Sequence, residues 1–383
     1  GAPAGVKGIS LFIVPKFHVD ENGNPGERNG VSLAGLIHKL GYRGTTSTAL
    51  SFGDDAPCHG YLVGEPHQGL KYMFQMMNEA RIGVGFGAAV IGYRGYMHSL
   101  EYAKDRLQGR KASEKNPESP QVPIIDHADV RRMLLAQKAY SEGGLALCLY
   151  GARLMDDQHT HPDEQKRMEA GKLLDLLTPV IKAWPSEYGP KANDLAIQVY
   201  GGAGYTREYP VEQCWRDNRL NPIHEGTNGI QALDLLGRKI WQDQSHGLQL
   251  LMQEMQVDLQ AATTDRCQQW ALSLSETLQQ AVKVTQSLGK SLMGGEVDKT
   301  LANASCYLHL FGHIIVAWMW LRQANAAANA LASANSDSER NFYQGKLQAA
   351  QYFFHWELPT VAQDLVLLRN QDDTCLNMKA DWF

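Results

Sequence analysis

The sequence has few cysteines, no excess of basic residues and no long apolar run. Its six cysteines are scattered without a Cys-x-x-Cys pair, which excludes a zinc knuckle and a disulfide-dense secreted scaffold and predicts reduced thiols. Lys and Arg total 36 against 41 Asp and Glu, a net charge of -5, so the basic field that holds nucleic acid is missing. These counts argue against nucleic acid as the main partner.

Several other signals are also absent. No apolar run approaches the roughly 20 residues that span a bilayer, and the nearest, residues 311–321, is interrupted by Gly312 and His313. There is no nucleophile elbow and no Walker loop, and the histidines show no metal-ligand spacing. The sequence therefore predicts a soluble protein without a membrane span or a metal site. At 383 residues and 44% hydrophobic content, two to three globular domains are expected.

The organisation of the chain changes near residue 67. Short β-rich runs broken by turns fill residues 8–65, and helical periodicity dominates from residue 68 onward. Asp20 to Gly26 carries the Asn-Gly and Pro-Gly signals of a loop between strands, and residues 45–52 are predicted to form a strand. The fold class predicted is α+β, mainly α, with domains over residues 1–66, 67–243 and 247–383. Asp126 is the expected N-cap of the second long helix, and Ser336-Asp-Ser-Glu339 has the spacing of a capping box ahead of a further helix. The helices expected in the middle domain cover residues 68–106, 126–156, 162–182, 191–200 and 228–241.

The stretch of residues 198–231 holds the most chemistry. The glycine cluster Gly201-Gly202-Ala203-Gly204 precedes a carboxylate, Glu225, which is followed by Gly226 and Thr227. Two interpretations are open for each feature. The glycines form either a cofactor cradle or a tight turn between helices, since the strand that opens a dinucleotide fingerprint is missing. Glu225 is either a general base or a helix-capping residue.

Arginines and methionines on the first long helix are further candidates. Arg81 and Arg106 lie 25 residues apart, about seven turns, which places them on nearly the same face at opposite ends. Arg106 with Arg110 either holds a diphosphate or belongs to a solvated surface. Met77 lies in a methionine group that is either core or substrate groove.

Six ordered motifs together closely resemble the acyl-CoA dehydrogenase family. They are Asn78-Glu-Ala-Arg81, Tyr102-Ala-x-x-Arg106, Gln198-Val-Tyr-Gly-Gly-x-Gly-Tyr, Glu208-Tyr-Pro-Val-Glu212, Trp215-Arg-Asp217 and Ile223-His-Glu-Gly-Thr227. The resemblance covers residues 5–242. The tail resembles the additional C-terminal helical domain of a larger subgroup, which includes methylthiopropanoyl-CoA dehydrogenases and broad-range bacterial acyl-CoA dehydrogenases.

The resemblance implies a partial β middle domain, a helical bundle and FAD bound across a homodimer or dimer of dimers. It implies that Glu225 removes the α proton of an acyl-CoA while the β hydrogen leaves as hydride to flavin N5. It further implies electron-transfer flavoprotein as electron acceptor and a bacterial cytoplasmic location. The implied FAD-binding residues are Arg106, which reaches the diphosphate in the neighbouring subunit, Gln198, Gly201, Gly202, Thr227 and Gly229. The implied substrate-binding residues are Met77, Asn78, Arg81 and Gly226.

The chain departs from the family pattern in three places. Leu-Gln-Gly-Arg follows Arg106 where the family has Arg-x-x-Phe-Gly, and Gly229 stands where many members have a polar side chain. The N-terminal helical domain and the Thr-Glu-Pro-x-x-Gly-Ser motif that holds the flavin ring do not occur. We therefore expect weak or no FAD binding and no turnover from these 383 residues alone. A stoichiometric flavin spectrum would contradict this.

Two alternatives to the dehydrogenase stay open. The first is an acyl-CoA oxidase, which passes electrons to oxygen and is distinguished by peroxide formation without an added acceptor. The second is a non-catalytic relative that binds DNA or a protein partner through its C-terminal domain.

Overall fold

Three pairs of short antiparallel strands form the first part of the chain. The computed structural model describes the backbone of residues 1–383 and every side chain except those of Gln75 and Asn78. The strands pair as β1 with β6, β2 with β3, and β4 with β5. Their bounds are β1 Phe12–Ile13, β2 Phe17–Val19, β3 Pro25–Arg28, β4 Val31–Leu36, β5 Thr48–Phe52 and β6 Tyr61–Leu62.

The turn signals of this part are confirmed. Asp20 begins the turn between β2 and β3, and its Oδ1 accepts hydrogen bonds from the backbone N–H groups of Asn22 (2.9 Å) and Asn24 (2.8 Å). Such an Asx turn is the reason that Asp and Asn favour this position. The strand predicted over residues 45–52 corresponds to β5.

Helices make up the rest of the chain, so the predicted α+β, mainly α class is confirmed. Their bounds are α1 Gly69–Asp105, α2 Ala128–Thr160, α3 Glu164–Tyr200, α4 Val211–Asn218, α5 Asn228–Gly237, α6 His246–Gln260, α7 Asp265–Met293, α8 Val297–Leu301, α9 Ala304–Leu331, α10 Asp337–Tyr352, α11 Val361–Asn370 and α12 Thr374–Asn377. A π-helical turn, Phe353–Glu357, follows α10. The chain divides into two compact units, Gly1–Ala80 and Arg81–Phe383. The predicted domain boundaries stay predictions.

The prediction of two helices over residues 162–182 and 191–200 was wrong, because α3 is one continuous helix. It contains Pro179, Pro185 and Pro190, each of which removes an intrahelical hydrogen bond. Almost every side chain from Leu173 to Asn193 on this helix is buried. Burial against its neighbours therefore outweighs the local cost of the prolines, which is about 3 kcal/mol each.

Pro185 also allows close packing between α1 and α3. A proline at this position leaves the carbonyl of Ile181, four residues earlier, without its intrahelical partner. Gly85 of α1 faces that carbonyl, and a Cβ added at Gly85 would lie 1.9 Å from Ile181 O. Only glycine permits this approach.

The predicted helix caps had mixed outcomes. Asp126 is not the N-cap of α2, because it lies in a 3₁₀ turn, Ile124–Asp126, and His127 occupies the cap position. Asp126 Oδ1 accepts instead from Arg131 (3.0 Å). The capping box ahead of α10 is confirmed, since Ser336 Oγ accepts from the backbone N–H of Glu339 (3.2 Å) and Glu339 Oε2 accepts from that of Asn335 (2.8 Å).

Helix α9 is the centre of the C-terminal helices. It is the only helix among the described residues that is long and apolar enough to cross a membrane, although no uninterrupted apolar run of that length occurs in the sequence. Within the protein, 83% of its most apolar window is buried. Trp318 and Trp320 on α9 are fully buried. Burial of this kind is typical of a core helix.

Candidate functional site

Glu225 lies in the segment between α4 and α5 and has an unusual backbone conformation. Its φ is +55°, in the left-handed region that residues other than glycine rarely adopt, and φ of Gly226 is +87°. The Glu225 side chain is exposed. Gln231 Nε2 donates to the carbonyl oxygens of both Glu225 and Gly226 at 3.3 Å. The strained conformation is thus held by contacts from α5.

The helix-capping interpretation of Glu225 does not fit this structure. Thr227 occupies the N-cap position of α5, and its Oγ1 accepts a hydrogen bond from the backbone N–H of Ile230 at 3.3 Å. The carboxylate of Glu225 is therefore not required to begin the helix. Gly229 lies in the first turn of α5 and is exposed.

A network of buried asparagines fixes the segment from behind. Asn218 Nδ2 donates to Asn193 Oδ1 on α3 (2.7 Å) and to Ala88 O on α1 (3.0 Å). Asn221 Nδ2 in turn donates to Asn218 Oδ1 (2.7 Å). Asn193, Asn218 and Asn221 are at most 2% exposed. The network joins α1, α3 and α4 to the segment that carries Glu225.

Lys182 on α3 is fully buried and contacts the same segment. Its Nζ donates to Asn221 O (2.8 Å) and to Asn228 Oδ1 (3.1 Å). Burial and, to a smaller extent, the charge of the nearby Arg81 lower the pKa of Lys182 to about 8, whereas the charge of Glu225 raises it. Burial and the Lys182 charge also lower the pKa of His224. These charges therefore lie near enough to influence one another.

Arg81 is buried, and its NH1 lies 3.5 Å from Asp234 Oδ2 on α5. Asp234 also accepts from Arg238. The Nε of Arg81 has no hydrogen-bond partner among the described residues. Arg81 thus has one unsatisfied donor close to Lys182 and α5. Such a donor on a buried guanidinium is costly. We call Arg81, Lys182, Asn218, Asn221 and Glu225 the base end of the bundle.

The glycine cluster lies at the C-terminal end of α3, 19 residues after Lys182. A 3₁₀ turn, Gly201–Tyr205, follows the helix, and Gly201 has φ +60°. Gln198, Gly201 and Gly202 are exposed, and a Cβ added at either Gly201 or Gly202 would meet no atom within 4 Å. Gly204 differs, since its added Cβ would lie 2.7 Å from Ile197 O. Gly204 is needed for packing, while Gly201 and Gly202 leave open surface.

Arg106 belongs to the same end. It directly follows α1 and is exposed. One turn earlier, Tyr102 stacks on Tyr200 with ring centroids 4.0 Å apart, which joins the end of α1 to the end of α3. We call Tyr102, Arg106, Gln198, Gly201 and Gly202 the glycine end.

Arg110, the predicted companion of Arg106, makes hydrogen bonds within the loop that follows α1. Its NH2 donates to Pro117 O (2.5 Å), and its Nε donates to Ser119 O. The guanidinium therefore holds the 109–119 loop together. Met77 is half-buried on α1 within the first unit, and the predicted Asn78 side chain lies outside the described residues.

One chain does not bring all predicted site residues together. Arg81 and Arg106 are separated by 25 residues of helix, which at 1.5 Å per residue amounts to about 37 Å. Arg81, Glu225, Gly226, Thr227 and Gly229 lie at or beside the base end. Arg106, Gln198, Gly201 and Gly202 lie at the glycine end.

The residues that sequence reasoning missed are those that hold Glu225 in place. Lys182 stands alone in the apolar run Leu176 to Trp184, and a single charge in such a run is a signal for a buried functional lysine. The asparagines gave a weaker signal, a cluster at positions 218, 221 and 228 before a helix. Among the described residues, no group of three or more His, Cys, Asp or Glu side chains is placed to hold a metal ion.

Comparison with known proteins gives two matching family models. Acyl-CoA dehydrogenase, C-terminal domain, matches residues 67–241, and Acetyl-CoA dehydrogenase C-terminal like matches residues 251–379. The chain is 35% identical to the broad-specificity linear acyl-CoA dehydrogenase FadE5 of Mycobacterium tuberculosis, over 99% of this chain and 64% of that protein. It is 36% identical to the 3-methylmercaptopropionyl-CoA dehydrogenase of Ruegeria pomeroyi, over 92% of this chain and 58% of that protein. The chain thus spans about three fifths of the length of these relatives.

Solved structures share the fold. The Caenorhabditis elegans protein ACDH-11, solved in complex with C11-CoA, superimposes with a TM-score of 0.74 at 19% identity, over 95% of this chain and 57% of that one. An acyl-CoA dehydrogenase from Bacillus anthracis, solved with FAD, gives 0.70 at 19% identity, over 91% of this chain and 58% of that one. Together, the two family models and the curated relatives show that the chain belongs to the acyl-CoA dehydrogenase family.

Proposed function

We propose that this chain takes part in the FAD-dependent α,β-dehydrogenation of an acyl-CoA thioester to the trans-2-enoyl-CoA. The observation that carries the proposal is the exposed carboxylate of Glu225, held on a segment that buried polar side chains fix from behind. A general base must be placed within hydrogen-bond reach of its proton, and a fixed segment supplies that placement. Relatives named for acyl-CoA dehydrogenation support the same reaction.

In the proposed reaction, the Glu225 carboxylate removes the α proton, a double bond forms between Cα and Cβ, and the β hydrogen departs as hydride. FAD, when bound, supplies the hydride acceptor at flavin N5. The backbone N–H of Glu225 is proposed to donate to the thioester carbonyl, which makes the α proton more acidic. Arg81 and Lys182 place positive charge near the site where the enolate charge develops.

The residues present at the glycine end fit a nucleotide. Gly201 and Gly202 leave open space, Gln198 offers an exposed amide, and Arg106 offers an exposed guanidinium that can pair with a diphosphate. Arg106 is separated from Arg81, beside the base, by about 37 Å of helical rise along α1, which supports the proposal that Arg106 serves the FAD of a neighbouring subunit. Thr227 and Gly229, beside the base, are proposed to contact the flavin.

Replacing Glu225 tests the reaction. In the purified, flavin-loaded protein, Glu225→Gln is expected to lower anaerobic flavin bleaching by acyl-CoA by at least about a thousandfold, because the base is lost. Glu164→Gln, an exposed glutamate at the start of α3, is the matched control and is expected to keep full activity. Bleaching by Glu225→Gln at the rate of the unmodified protein would overturn the assignment. The screen should include linear acyl-CoAs and methylthiopropanoyl-CoA, which the two relatives make the first candidates.

A complementation assay tests the shared cofactor site. A dimer of one Glu225→Gln subunit and one Arg106→Ala subunit contains one intact site if Arg106 acts on its neighbour's FAD, whereas both sites are defective if it acts within its own subunit. We therefore expect activity to return on mixing the two inactive variants. No return, with mixed dimers verified by mass, would contradict the sharing. Electron-transfer flavoprotein is the proposed acceptor, and rapid peroxide formation without it would instead favour an oxidase.

A further inference from the structure

A lysine is an unexpected residue in the interior of α3. Lys182 has no exposed surface, and its neighbours in sequence, Ile181 and Ala183, are also buried. Taking an ammonium group out of water is costly unless other groups hydrogen-bond it. Replacement by an apolar residue of the same length would avoid that cost, so the retained charge calls for a function.

The two hydrogen bonds of Lys182 reach both ends of one short segment. Nζ donates to Asn221 O at 2.8 Å and to Asn228 Oδ1 at 3.1 Å, and Glu225 lies between these two residues. The segment is closed on itself as well, because the backbone N–H of Asn228 donates to Pro222 O at 3.0 Å. A single group on a buried helix thus fixes where the segment begins and where it ends.

Glu225 needs such support because of its backbone conformation. A glutamate at φ +55° costs of order 1–3 kcal/mol and persists only where its surroundings impose it. Gln231 contributes from the α5 side through two hydrogen bonds of 3.3 Å. Lys182 contributes from the α3 side, with shorter bonds.

We propose that Lys182 is a positioning residue for Glu225: its ammonium group hydrogen-bonds residues 221 and 228 and thereby fixes the segment that carries the base. The proposal rests on the proposed function for its catalytic part only. The charged and titratable groups that influence one another here are Arg81 of α1, Lys182 of α3, His224 and Glu225 of the segment, and Asp234 of α5.

Hydrogen exchange tests, without reference to catalysis, whether Lys182 fixes residues 221–228. In Lys182→Met, amide exchange of residues 221–228 is expected to accelerate at least tenfold, while the rest of α3 keeps its protection. Lys239→Met is the matched control, because Lys239 is also a buried lysine and pairs with Asp175 away from this segment. It is expected to leave the exchange of residues 221–228 unchanged. Unchanged exchange in Lys182→Met would overturn the proposal.

Should Lys182→Met fail to fold, Asn228→Ala provides the second variant. It removes one of the two acceptors and leaves the lysine in place, so a smaller acceleration in residues 221–228 is expected. Exchange equal to that of the unmodified chain would again overturn the proposal that Lys182 fixes this segment.

The kinetics of turnover test the catalytic part. In the flavin-loaded, active protein, Lys182→Met is expected to lower kcat at least tenfold with little change in KM, because the base is displaced while the acyl-CoA still binds. An unchanged kcat would overturn this part. If Glu225→Gln itself kept its activity, the proposed function would fail while the hydrogen-exchange result stood.

Discussion

The base end and the glycine end of the bundle are built in opposite ways. At the base end, Lys182, Asn218 and Asn221 are buried and make hydrogen bonds of 2.7–3.1 Å across four helices and a segment. At the glycine end, Gln198, Gly201 and Gly202 are exposed, and stacked tyrosines lie beneath them.

The difference shows that the two ends meet different demands. A catalytic base acts by its position, so the groups that place it are built into the free chain. A cofactor's nucleotide end is bound by surface contact, so open space and exposed donors suffice there. Substitutions of the buried residues at the base end should therefore destabilise the chain itself, and substitutions at the glycine end should weaken only the binding of its ligand.

The largest effect is expected for Asn218→Leu. The substitution removes the partner of Asn193 Oδ1 and of Asn221 Nδ2 and one hydrogen bond to the Ala88 carbonyl, and each unsatisfied buried group costs about 1–3 kcal/mol. We expect a loss of about 3–5 kcal/mol in the free energy of unfolding, measured by urea denaturation. Asn370→Leu, an exposed asparagine at the end of α11, is the control. A loss under about 1 kcal/mol for Asn218→Leu would break the comparison.

The next effect concerns stability at alkaline pH. Burial lowers the pKa of Lys182 to about 8, so between that value and its unfolded pKa of about 10.4 the unfolded chain binds more protons. Stability contributed by this residue therefore rises with pH across the window and is lowest below pH 8. The pKa shift sets an upper limit of about 3 kcal/mol on this change in the free energy of unfolding. The two hydrogen bonds that the ammonium donates reduce the change.

Comparison of the unmodified chain with Lys182→Met measures this titration. The difference in unfolding free energy is expected to change in favour of the unmodified chain from pH 8 to pH 10.5, since only that chain contains the titrating lysine. A constant difference would show that the pKa of Lys182 is not lowered and that water reaches its ammonium group.

Gly85→Ala is expected to have an intermediate effect. The new methyl group would lie 1.9 Å from Ile181 O, and neither backbone can yield without separating α1 from α3. Overpacking of this kind costs typically 1–3 kcal/mol, against which the better helix propensity of alanine returns up to about 1 kcal/mol. Thermal unfolding should therefore show a clear loss, and equal or higher stability would contradict the close packing.

Gly202→Ala is expected to have the smallest effect on the free chain. A methyl group there meets nothing within 4 Å, so stability should stay within about 0.5 kcal/mol. The affinity of the protein for FAD should fall at least tenfold, because the methyl group occupies the proposed cofactor surface. Unchanged FAD affinity would remove Gly202 from the proposed site and sharpen the comparison to Arg106 and Gln198.

The sequence predicted the features that depend on local pattern. The fold class, the end of α1 near Arg106 and the capping box at Ser336 follow from periodicity and spacing, and the family motifs located the segment around Glu225. The break predicted in α3 was wrong because the burial of almost every side chain from Leu173 to Asn193 keeps the helix continuous through its prolines. Asp126 is not the cap because it lies in the 3₁₀ turn before α2 and His127 occupies the cap position.

The features that were not predicted depend on contacts between distant residues. Asn218 meets Ala88 across 130 positions of sequence, and Lys182 meets Asn228 across 46. Amide and ammonium groups are usually solvated, and nothing in their local sequence says which of them the fold will bury. Only the packing of α1, α3 and α5 reveals that these side chains form one support.

The left-handed backbone at Glu225 has a consequence for how this chain can change over generations. At φ +55° the conformation suits glycine, so Glu225→Gly is expected to stabilise the fold by about 1 kcal/mol while it removes the carboxylate. Drift toward stability and retention of the proposed chemistry therefore oppose each other at this one position. A lineage that no longer needed the reaction would be free to exchange the glutamate for a more stable fold.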